Sequence, residues 1–239
     1  MAADQRFSRT RILMGDGACE ALARSNVLVC GLGAVGGFAL EMLARMGVGS
    51  FILADCDCFE ISNINRQICA LESTIGARKT ETARRRVLEI NPRANVEIFD
   101  MFIGESTIPE LFAKAPAVAV DAIDTVESKI SLMRTAPDCD IKLVSSMGAA
   151  RKTDPSMVKT APLSKTRACP LAAKIRKTLR TEGRPSDFMC VYSDELPAPD
   201  SHLCGGSRKV IGSSPLVTST FGIRLAHLAV SAILEDALR

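Results

Sequence analysis

The chain has 239 residues, of which 47% are apolar and 24% are charged, and its formal net charge is +3. This composition excludes a disordered chain, and the mild charge excludes a uniformly basic nucleic-acid binder, so a basic surface would have to be local. The length suits one large α/β domain, or such a domain with a smaller addition.

A basic segment with a small helix predicted over 17–24 opens the chain. A buried strand over 26–30 then leads into the glycine turn Gly31-x-Gly33-x-x-Gly36, and a helix over 35–46 follows. In such a turn the first glycine permits the bend, the second lets a phosphate approach the backbone, and the third allows close helix–strand packing. The free N–H groups of the helix start attract an anion. The pattern predicts a nucleotide site, while a glycine turn without a ligand remains the alternative.

Strands and helices alternate through the rest of the first 150 residues, and the pattern changes after Ala150. The alternation predicts a Rossmann-like, doubly wound, mostly parallel sheet, here residues 1–150, with a C-terminal α/β extension, residues 151–239, packed on the same domain. The predicted strands cover 50–55, 96–99, 118–124, 142–146, 157–160 and 188–193, the predicted helices 76–90, 109–114, 128–134, 170–180 and 216–238, and a loop covers 197–214.

Nine cysteines are scattered without a C-x-x-C pair, which argues against a zinc site of the usual spacing. The odd number and the absence of a secretion signal predict free thiols in a reducing, cytoplasmic compartment. We expect no membrane span, because Arg224 and His227 interrupt the last apolar run, and we expect that run to form a buried or interface helix.

Charged residues cluster where predicted strands end. Asp55 follows the second strand, at the place where an acid accepts hydrogen bonds from ribose hydroxyls. Arg66, Lys79 and Asp124 exceed what a dinucleotide requires and suit a triphosphate with Mg²⁺. The alternatives are ordinary: Lys79 lies in a basic run typical of a solvated helix face, Arg66 could form a surface pair, and Asp124, like Asp121, could cap a helix.

As a set, these motifs resemble the ThiF/MoeB family of ATP-dependent carboxylate-adenylating enzymes. The resemblance implies that Arg66 binds phosphate, that Lys79 neutralises phosphate charge and that Asp124 binds Mg²⁺. It also implies that Arg9 enters the ATP site of a neighbouring subunit, and this arginine and the apolar last helix together suggest a homodimer. The motifs are Gly31-x-Gly33-x-x-Gly36, Asp55-x-Asp57, Asn63-x-Asn65-Arg66-Gln67, Lys79, Ile90-Asn91-Pro92 and Asp121-x-x-Asp124, and the expected ATP-binding residues are Gly31, Gly33, Gly36, Asp55, Asp57, Asn63, Asn65, Arg66, Lys79 and Arg9.

The second half is similar to one branch of that family, the tRNA threonylcarbamoyladenosine dehydratases. The similarity implies that ATP activates the carboxylate of the threonylcarbamoyl group at position 37 of tRNA, and that the group's own nitrogen closes a ring with net loss of water. The matching stretches are Asp154-Pro155, Pro170-Leu-Ala-Ala-Lys174, Val191-Tyr-Ser-Asp-Glu195 and Thr218-Ser-Thr-Phe-Gly222.

A local excess of basic residues between 165 and 185 suits an anticodon stem, because each cation can neutralise a phosphate. A solvated helix face is the alternative. The residues expected to bind tRNA are Lys165, Lys174, Arg176, Lys177 and Arg180.

The chain departs from this branch in two places. Ser207, with Cys204 three residues earlier, stands where some dehydratases carry a cysteine, and Cys169 stands where an aspartate often precedes Pro170. Ring closure within the substrate needs no enzyme nucleophile, so whether Cys190 or Cys204 is catalytic stays open. The sequence also leaves open a monovalent cation (Na⁺ or K⁺), a cysteine desulfurase or sulfur acceptor as partner, and the choice of tRNAs.

Three other functions compete with this reading. The first is adenylation of the C-terminus of a ubiquitin-like sulfur carrier protein, which the basic segment and the missing cysteine pairs disfavour. The second is a nicotinamide dehydrogenase, for which Arg66, Lys79 and Asp124 would be superfluous. The third is a non-catalytic nucleotide-binding scaffold, which the presumed phosphate and metal ligands disfavour.

Overall fold

The computed structural model describes residues 5–199 and 211–237. Seven strands form one sheet in the order β3-β2-β1-β4-β5-β7-β6. The strands are β1 (Asn26–Cys30), β2 (Ser50–Ala54), β3 (Asn95–Phe99), β4 (Val118–Asp121), β5 (Lys142–Ser146), β6 (Val158–Pro162) and β7 (Met189–Ser193). The helices are α1 (Ser8–Met14), α2 (Asp16–Arg24), α3 (Gly36–Arg45), α4 (Lys79–Ile90), α5 (Ile108–Phe112), α6 (Val126–Asp138), α7 (Pro170–Thr181) and α8 (Pro215–Ala237).

The sheet is parallel except at β6, which pairs antiparallel with β7. Central strands of such a sheet are covered on both faces, so they are continuous apolar runs rather than alternating ones. In β1, Val27 and Val29 belong to the core on one face, and Leu28 and Cys30 to the core on the other. The predicted Rossmann-like α/β class is confirmed.

Helices cover both faces of the sheet. The helices α2, α3, α4 and α8 contribute to one hydrophobic core, and α5, α6 and α7 contribute to the other. Because the crossover helices return the chain to one end of the sheet, the carboxyl ends of the parallel strands meet along one edge, where ligands bind in doubly wound folds.

The C-terminal residues extend the sheet of the first half. Strand β7 lies parallel to β5, with Ser145 opposite Cys190, and β6 closes that edge with Thr160 opposite Val191. The sheet therefore runs on across Ala150, and the division of the chain at that residue stays a prediction.

Several predicted boundaries differ from the structure; helix α6, for example, covers Val126–Asp138 rather than 128–134. The chain begins with two helices, α1 and α2, which Gly15 separates at a φ of 84°. Helix α4 begins at Lys79 rather than at Gly76. Strand β4 ends at Asp121 rather than at Asp124, because the Asp121 carboxylate accepts a hydrogen bond from the N–H of Ile123 (3.1 Å) and turns the chain.

Helix α8 is long and apolar enough to cross a membrane by length and composition alone, contrary to the sequence-based expectation. However, 56% of its apolar stretch is buried inside the protein. A Cβ atom on Gly222 would lie only 2.5 Å from the carbonyl oxygen of Val35, so the helix packs directly against the start of α3. This contact is that of a core helix, as predicted.

Candidate active site

A cavity of about 750 Å³ opens at the carboxyl ends of the strands. Its volume is within the usual range for a small-molecule site. The fold thus brings together residues that are far apart in the sequence, as expected for this edge of the sheet. The predicted residues that line it are Gly31, Gly33, Asp55, Asp57, Asn63, Arg66, Lys79 and Asp124.

The three glycines of the turn have different surroundings. Gly31 has a φ of 88°, and a Cβ there would lie 2.9 Å from the carbonyl oxygen of Ala122. A Cβ on Gly36 would lie 1.8 Å from the carbonyl oxygen of Gly31, so Gly36 allows the close packing of α3 on β1 and does not line the cavity. A Cβ on Gly33 would meet only Nε2 of Gln67, at 3.8 Å. Gly33 is therefore the position at which the backbone stays open to a ligand.

The buried carboxylate of Asp55 accepts two backbone hydrogen bonds. Its Oδ2 accepts from the N–H of Leu32 in the glycine turn (2.6 Å), and its Oδ1 accepts from the N–H of Asp57 (2.9 Å). A carboxylate has about four acceptor positions, so both oxygens can still accept from ribose hydroxyls. Asp55 consequently fixes the turn to β2 while remaining available to a ligand.

Lys79 is buried, with a relative exposure of 6%, so it does not belong to a solvated helix face. Its Nζ lies 2.7 Å from Oδ2 of Asp57 and 4.0 Å from Oδ1 of Asp55. The hydrogen bond from Lys79 lowers the pKa of Asp57. Within residues 5–199 and 211–237, the ammonium group of Lys79 forms ion pairs with two acids, and the side chain of one of them, Asp57, is largely exposed.

Arg66 stands on the loop between β2 and α4. Its Nη1 donates to the carbonyl oxygen of Ser62 (2.8 Å) and to Oδ1 of Asn65 (2.9 Å), which restrains the guanidinium at the cavity wall. Asn63 is buried, and its Oδ1 accepts from the N–H of Glu60 (3.2 Å). Asn65 does not line the cavity; besides holding Arg66, its side-chain amide donates to the carbonyl oxygen of Ser213 (3.5 Å).

Asp124 lies on the turn between β4 and α6 and is exposed at the cavity wall. Among the residues that the structure describes, the one hydrogen bond to its carboxylate is a long one from the hydroxyl of Thr125 (3.5 Å), which leaves its oxygens available to a cation. Oxygen ligands of this kind suit Mg²⁺.

Beneath this turn lies a buried ion pair that the sequence did not reveal. Nζ of Lys129 is 2.8 Å from Oδ2 of Asp121, and both side chains are almost fully buried. The hydroxyl of Ser145 donates to the same carboxylate oxygen (2.5 Å). Because Asp121 also binds the N–H of Ile123, the pair ties β4, β5 and α6 to the turn that carries Asp124. The eight-residue spacing of Asp121 and Lys129 alone carries no such signal.

Besides Asp124, a cluster of possible metal ligands lines the same cavity. The side-chain ligand atoms of Asp55, Cys56 and Asp57 lie within 4.8 Å of one another. The ammonium group of Lys79 lies 2.7 Å from the Asp57 carboxylate and 4.0 Å from that of Asp55, so it already offsets one of their two negative charges. This arrangement favours Asp124 over the cluster as a metal ligand.

Cys190 is fully buried and does not line the cavity. Burial raises its pKa to about 12, and its Sγ donates to the carbonyl oxygen of Phe188 (3.3 Å). A thiol in this state is protonated and inaccessible, which disfavours Cys190 as a nucleophile. Cys204 and Ser207, the other positions raised by the sequence, lie outside the described residues.

The predicted tRNA-binding residues do not all face solvent. Lys165, Lys174, Lys177 and Arg180 are exposed, and Lys174 approaches Glu127 at 3.9 Å. Arg176 is half-buried and donates to the carbonyl oxygen of Leu163 (3.3 Å) and to the hydroxyl of Thr166. This guanidinium therefore anchors α7 to the segment before it, and its expected role in tRNA binding stays a prediction.

The remaining walls of the cavity are mostly apolar. Arg9, the other predicted ATP-binding residue, is exposed on α1 and lies outside these walls. A cavity lined by both apolar and charged side chains can accept a flat base against the apolar ones and phosphates against the charged ones. The apolar wall includes Met101, Phe102, Ile103, Ile123, Met147, Ala149 and Leu171.

The open glycine turn at a helix start, the adjacent cations and the apolar wall define an α/β protein with a site for a phosphate-bearing nucleotide. The model of the ThiF family matches residues 7–235, and the chain belongs to this family. It is 43% identical over 192 residues to the tRNA threonylcarbamoyladenosine dehydratase of Bacillus subtilis, covering 80% of this chain and 76% of the relative.

Two further comparisons separate the branches of the family. The crystal structure of the Escherichia coli tRNA threonylcarbamoyladenosine dehydratase in complex with ATP superposes with a TM-score of 0.89 at 32% identity, covering 98% of this chain and 96% of that one. The molybdopterin-synthase adenylyltransferase of Escherichia coli is 35% identical over 148 residues, which covers 61% of this chain and 58% of the relative. The similarity to the dehydratases thus includes the C-terminal extension.

Proposed function

We propose that this protein is an ATP-dependent tRNA threonylcarbamoyladenosine dehydratase, which activates the carboxylate of the threonylcarbamoyl group and closes a ring with net loss of water. The observation that carries the proposal is the similarity to dehydratases along nearly the whole chain, including the part that lies beyond the nucleotide-binding turn.

The residues of the cavity fit ATP. The backbone at Gly33 is open, the N-terminus of α3 offers partial positive charge, and Arg66 and Lys79 supply two full charges beside it. Two cations beyond the glycine turn suit the β- and γ-phosphates. Asp55 would hold the ribose through its free acceptor positions, and the apolar wall would cover the base.

The reaction requires two bond exchanges. A carboxylate oxygen of the substrate attacks the α-phosphorus of ATP, and pyrophosphate leaves. The nitrogen of the same threonylcarbamoyl group then attacks the carbonyl carbon and loses its proton, and AMP leaves with the carboxylate oxygen. Arg66 and Lys79 stabilise the negative charge that grows on the departing pyrophosphate, because they are already in place before the reaction.

Mg²⁺ forms part of the proposal, with Asp124 as its protein ligand. When bound, the ion would neutralise phosphate charge, and Asp124 is suited to hold it because its carboxylate is exposed to the cavity and weakly engaged. The described residues provide no argument for a monovalent cation or for a sulfur-relay partner, and the proposal includes neither.

We also infer a cytoplasmic homodimer that binds tRNA through the exposed face of α7. Support for the tRNA surface comes from Lys174, Lys177 and Arg180, which are exposed on α7, and from Lys165, which is exposed just before it; Leu171 in the first turn of α7 lines the cavity. Arg9 is exposed on α1, as its expected role in the site of a second subunit requires.

Adenylation of a sulfur carrier protein is the alternative function. The similarity to the molybdopterin-synthase adenylyltransferase favours this alternative less, since it covers only 61% of this chain. The two functions share the nucleotide site and differ in the carboxylate that is activated there.

The decisive test is a nucleoside mass assay. The purified protein is incubated with Mg²⁺, ATP and tRNA bearing threonylcarbamoyladenosine, and we expect a nucleoside lighter by one water, with no change when ATP is omitted. An unchanged nucleoside together with adenylation of a sulfur carrier protein would instead support the alternative.

A further inference from the structure

The side-chain carboxamide of Gln67 lies at the cavity wall, and its oxygen is not paired by the described part of the fold. It lies in the loop between β2 and α4, its relative exposure is 8%, and it lines the cavity. Its Oε1 is buried and has no hydrogen-bond partner among the described residues. A buried polar atom that the fold leaves unpaired calls for an explanation, because most such atoms in proteins are satisfied.

The backbone of Gln67 is firmly held even though its carboxamide is not. Its N–H donates to the carbonyl oxygen of Asn63 (2.9 Å), and its carbonyl oxygen accepts from the N–H of Ala70 (3.0 Å). The side chain therefore projects from a fixed turn. Its Nε2 lies 3.8 Å from the place where a Cβ on Gly33 would be, so the carboxamide stands beside the one glycine that is open to a ligand.

We propose that Gln67 is a phosphate-positioning residue, whose Nε2 donates a hydrogen bond to the phosphate bound at Gly33. The proposal rests on the proposed function, since it assumes a nucleotide at the glycine turn. A hydrogen bond to a charged phosphate is stronger than a neutral one, and a donor held by a rigid turn needs no reorganisation when the ligand binds. Because a phosphate oxygen accepts and does not donate, this contact leaves Oε1 unpaired; the missing partner of Oε1 shows only that the described part of the fold does not engage that end of the carboxamide.

If Gln67 contacts phosphate, its replacement should weaken nucleotide binding without lowering the stability of the fold. Methionine has a similar size and no unpaired acceptor, and replacing an unsatisfied buried polar group by an apolar one is neutral or stabilising. We therefore expect Gln67→Met to melt at the same temperature as the original protein, or higher, without nucleotide. Its affinity for Mg·ATP should fall about tenfold to a hundredfold, the effect of one lost hydrogen bond to a charged group.

Thr82 provides the matched control. Its buried Oγ1 is the other unpaired side-chain atom among the described residues, but it lies on α4 away from the cavity. Thr82→Val should resemble Gln67→Met in the melting experiment and leave Mg·ATP affinity unchanged. Gln67→Glu keeps the size and adds negative charge beside the phosphates, so it should bind Mg·ATP more weakly than Gln67→Met.

The experiment combines thermal melting without nucleotide with calorimetric titration by Mg·ATP and by adenosine. Adenosine affinity should be the same in all variants, because the contact is to phosphate. If Gln67→Met binds Mg·ATP as tightly as the original protein, or melts lower with unchanged affinity, the proposal is overturned while the proposed function stands. If the original protein itself does not bind Mg·ATP, both are overturned.

Discussion

Gly33 and Gly36 are three residues apart, yet they tolerate a methyl group very differently. A Cβ at Gly33 has room in the absence of a ligand, whereas one at Gly36 would lie 1.8 Å from a backbone oxygen. The first glycine thus serves the ligand and the second serves the packing of α3 on β1.

We therefore predict opposite effects of two substitutions. Gly33→Ala should leave the melting temperature nearly unchanged and weaken Mg·ATP binding about tenfold or more, since the methyl group fills the space of a phosphate. Gly36→Ala should destabilise the fold by about 1–3 kcal/mol through overpacking. Gly17→Ala is the control, because a Cβ there meets nothing within 4 Å. Thermal melting and urea unfolding measure the stabilities. If the Gly33 and Gly36 variants are equally stable by both methods, the two glycines do not have the separate roles assigned to them.

The glycine spacing, Asp55 and Asp124 were available from the sequence because each lies at the end of a recognisable strand, and Arg66 and Lys79 because they are cations beyond what a dinucleotide requires. Other features were not. The ion pair of Lys129 with Asp121 and the hydrogen bond of Arg176 to Thr166 depend on which face of each helix packs against the rest of the protein. Neither hydrophobic periodicity nor charge in the sequence predicts these contacts. The unpaired Oε1 of Gln67 is likewise visible only in three dimensions.

At the scale of elements, the pair between Asp121 and Lys129 links two strands and a helix below the cavity. Removing one partner leaves a buried charge alone, so Lys129→Met should destabilise the protein by about 3–5 kcal/mol. The double variant Lys129→Met with Asp121→Asn removes both charges and should recover part of this loss. Urea unfolding of the two single variants and the double variant measures the coupling, and strictly additive losses would show that the pair is not coupled.

Strand β6 is held to β7 partly by charge. The carboxylate of Asp194, which follows β7, accepts hydrogen bonds from Lys159 on β6 and from Nε of Arg167 (2.8 Å). These bonds, that from Arg167 above all, hold the pKa of Asp194 well below its ordinary value. An acid with a lowered pKa stabilises the fold above about pH 3.9, and this stabilisation is lost as the pH falls through the folded-state value.

The expected consequence is a pH-dependent difference between Asp194→Asn and the original protein. The variant should be less stable at pH 7, and the difference should shrink below about pH 4, where the original protein loses the same interaction. Melting temperatures across this range, with Asp187→Asn as a control at an exposed acid, test the assignment. A difference that is constant with pH would contradict it.

At the scale of the whole molecule, the sheet separates two basic surfaces. Helix α7 packs on one face, and α4 packs on the other. Lys177 and Arg180 are exposed on α7, while Arg84 and Arg85 are exposed on α4. Two basic residues can therefore be replaced by acids on either side of the protein, and the two double variants change the net charge by the same amount.

We predict that Lys177→Glu with Arg180→Glu weakens tRNA binding and flattens its dependence on salt by about 0.9 per lost phosphate contact in a plot of log affinity against log salt. Arg84→Glu with Arg85→Glu should have a much smaller effect. Binding curves at several salt concentrations give both slopes. Equal losses for the two pairs would mean that net charge, and not the surface of α7, governs tRNA binding.

The doubly wound, mostly parallel sheet followed from the alternation of strands and helices, although the order of its strands did not, and the C-terminal strands were recognised as well. Their position was not predictable, because β6 and β7 carry no pattern that distinguishes a separate small sheet from an extension of the first one. The pairing of β7 with β5 is what joins the C-terminal strands to the first sheet, and Leu171 on α7 is the residue of 151–199 that lines the cavity.

The central claim is that the enzyme activates the substrate carboxylate by transferring the AMP group of ATP onto it, with release of pyrophosphate. The most direct measurement uses tRNA whose threonylcarbamoyl carboxylate carries heavy oxygen, followed by mass analysis of the nucleotide products. We predict that one heavy oxygen appears in AMP for each ring closed, with unlabelled pyrophosphate. Ring closure with the label in inorganic phosphate beside ADP, or with no label in any nucleotide product, would contradict the account.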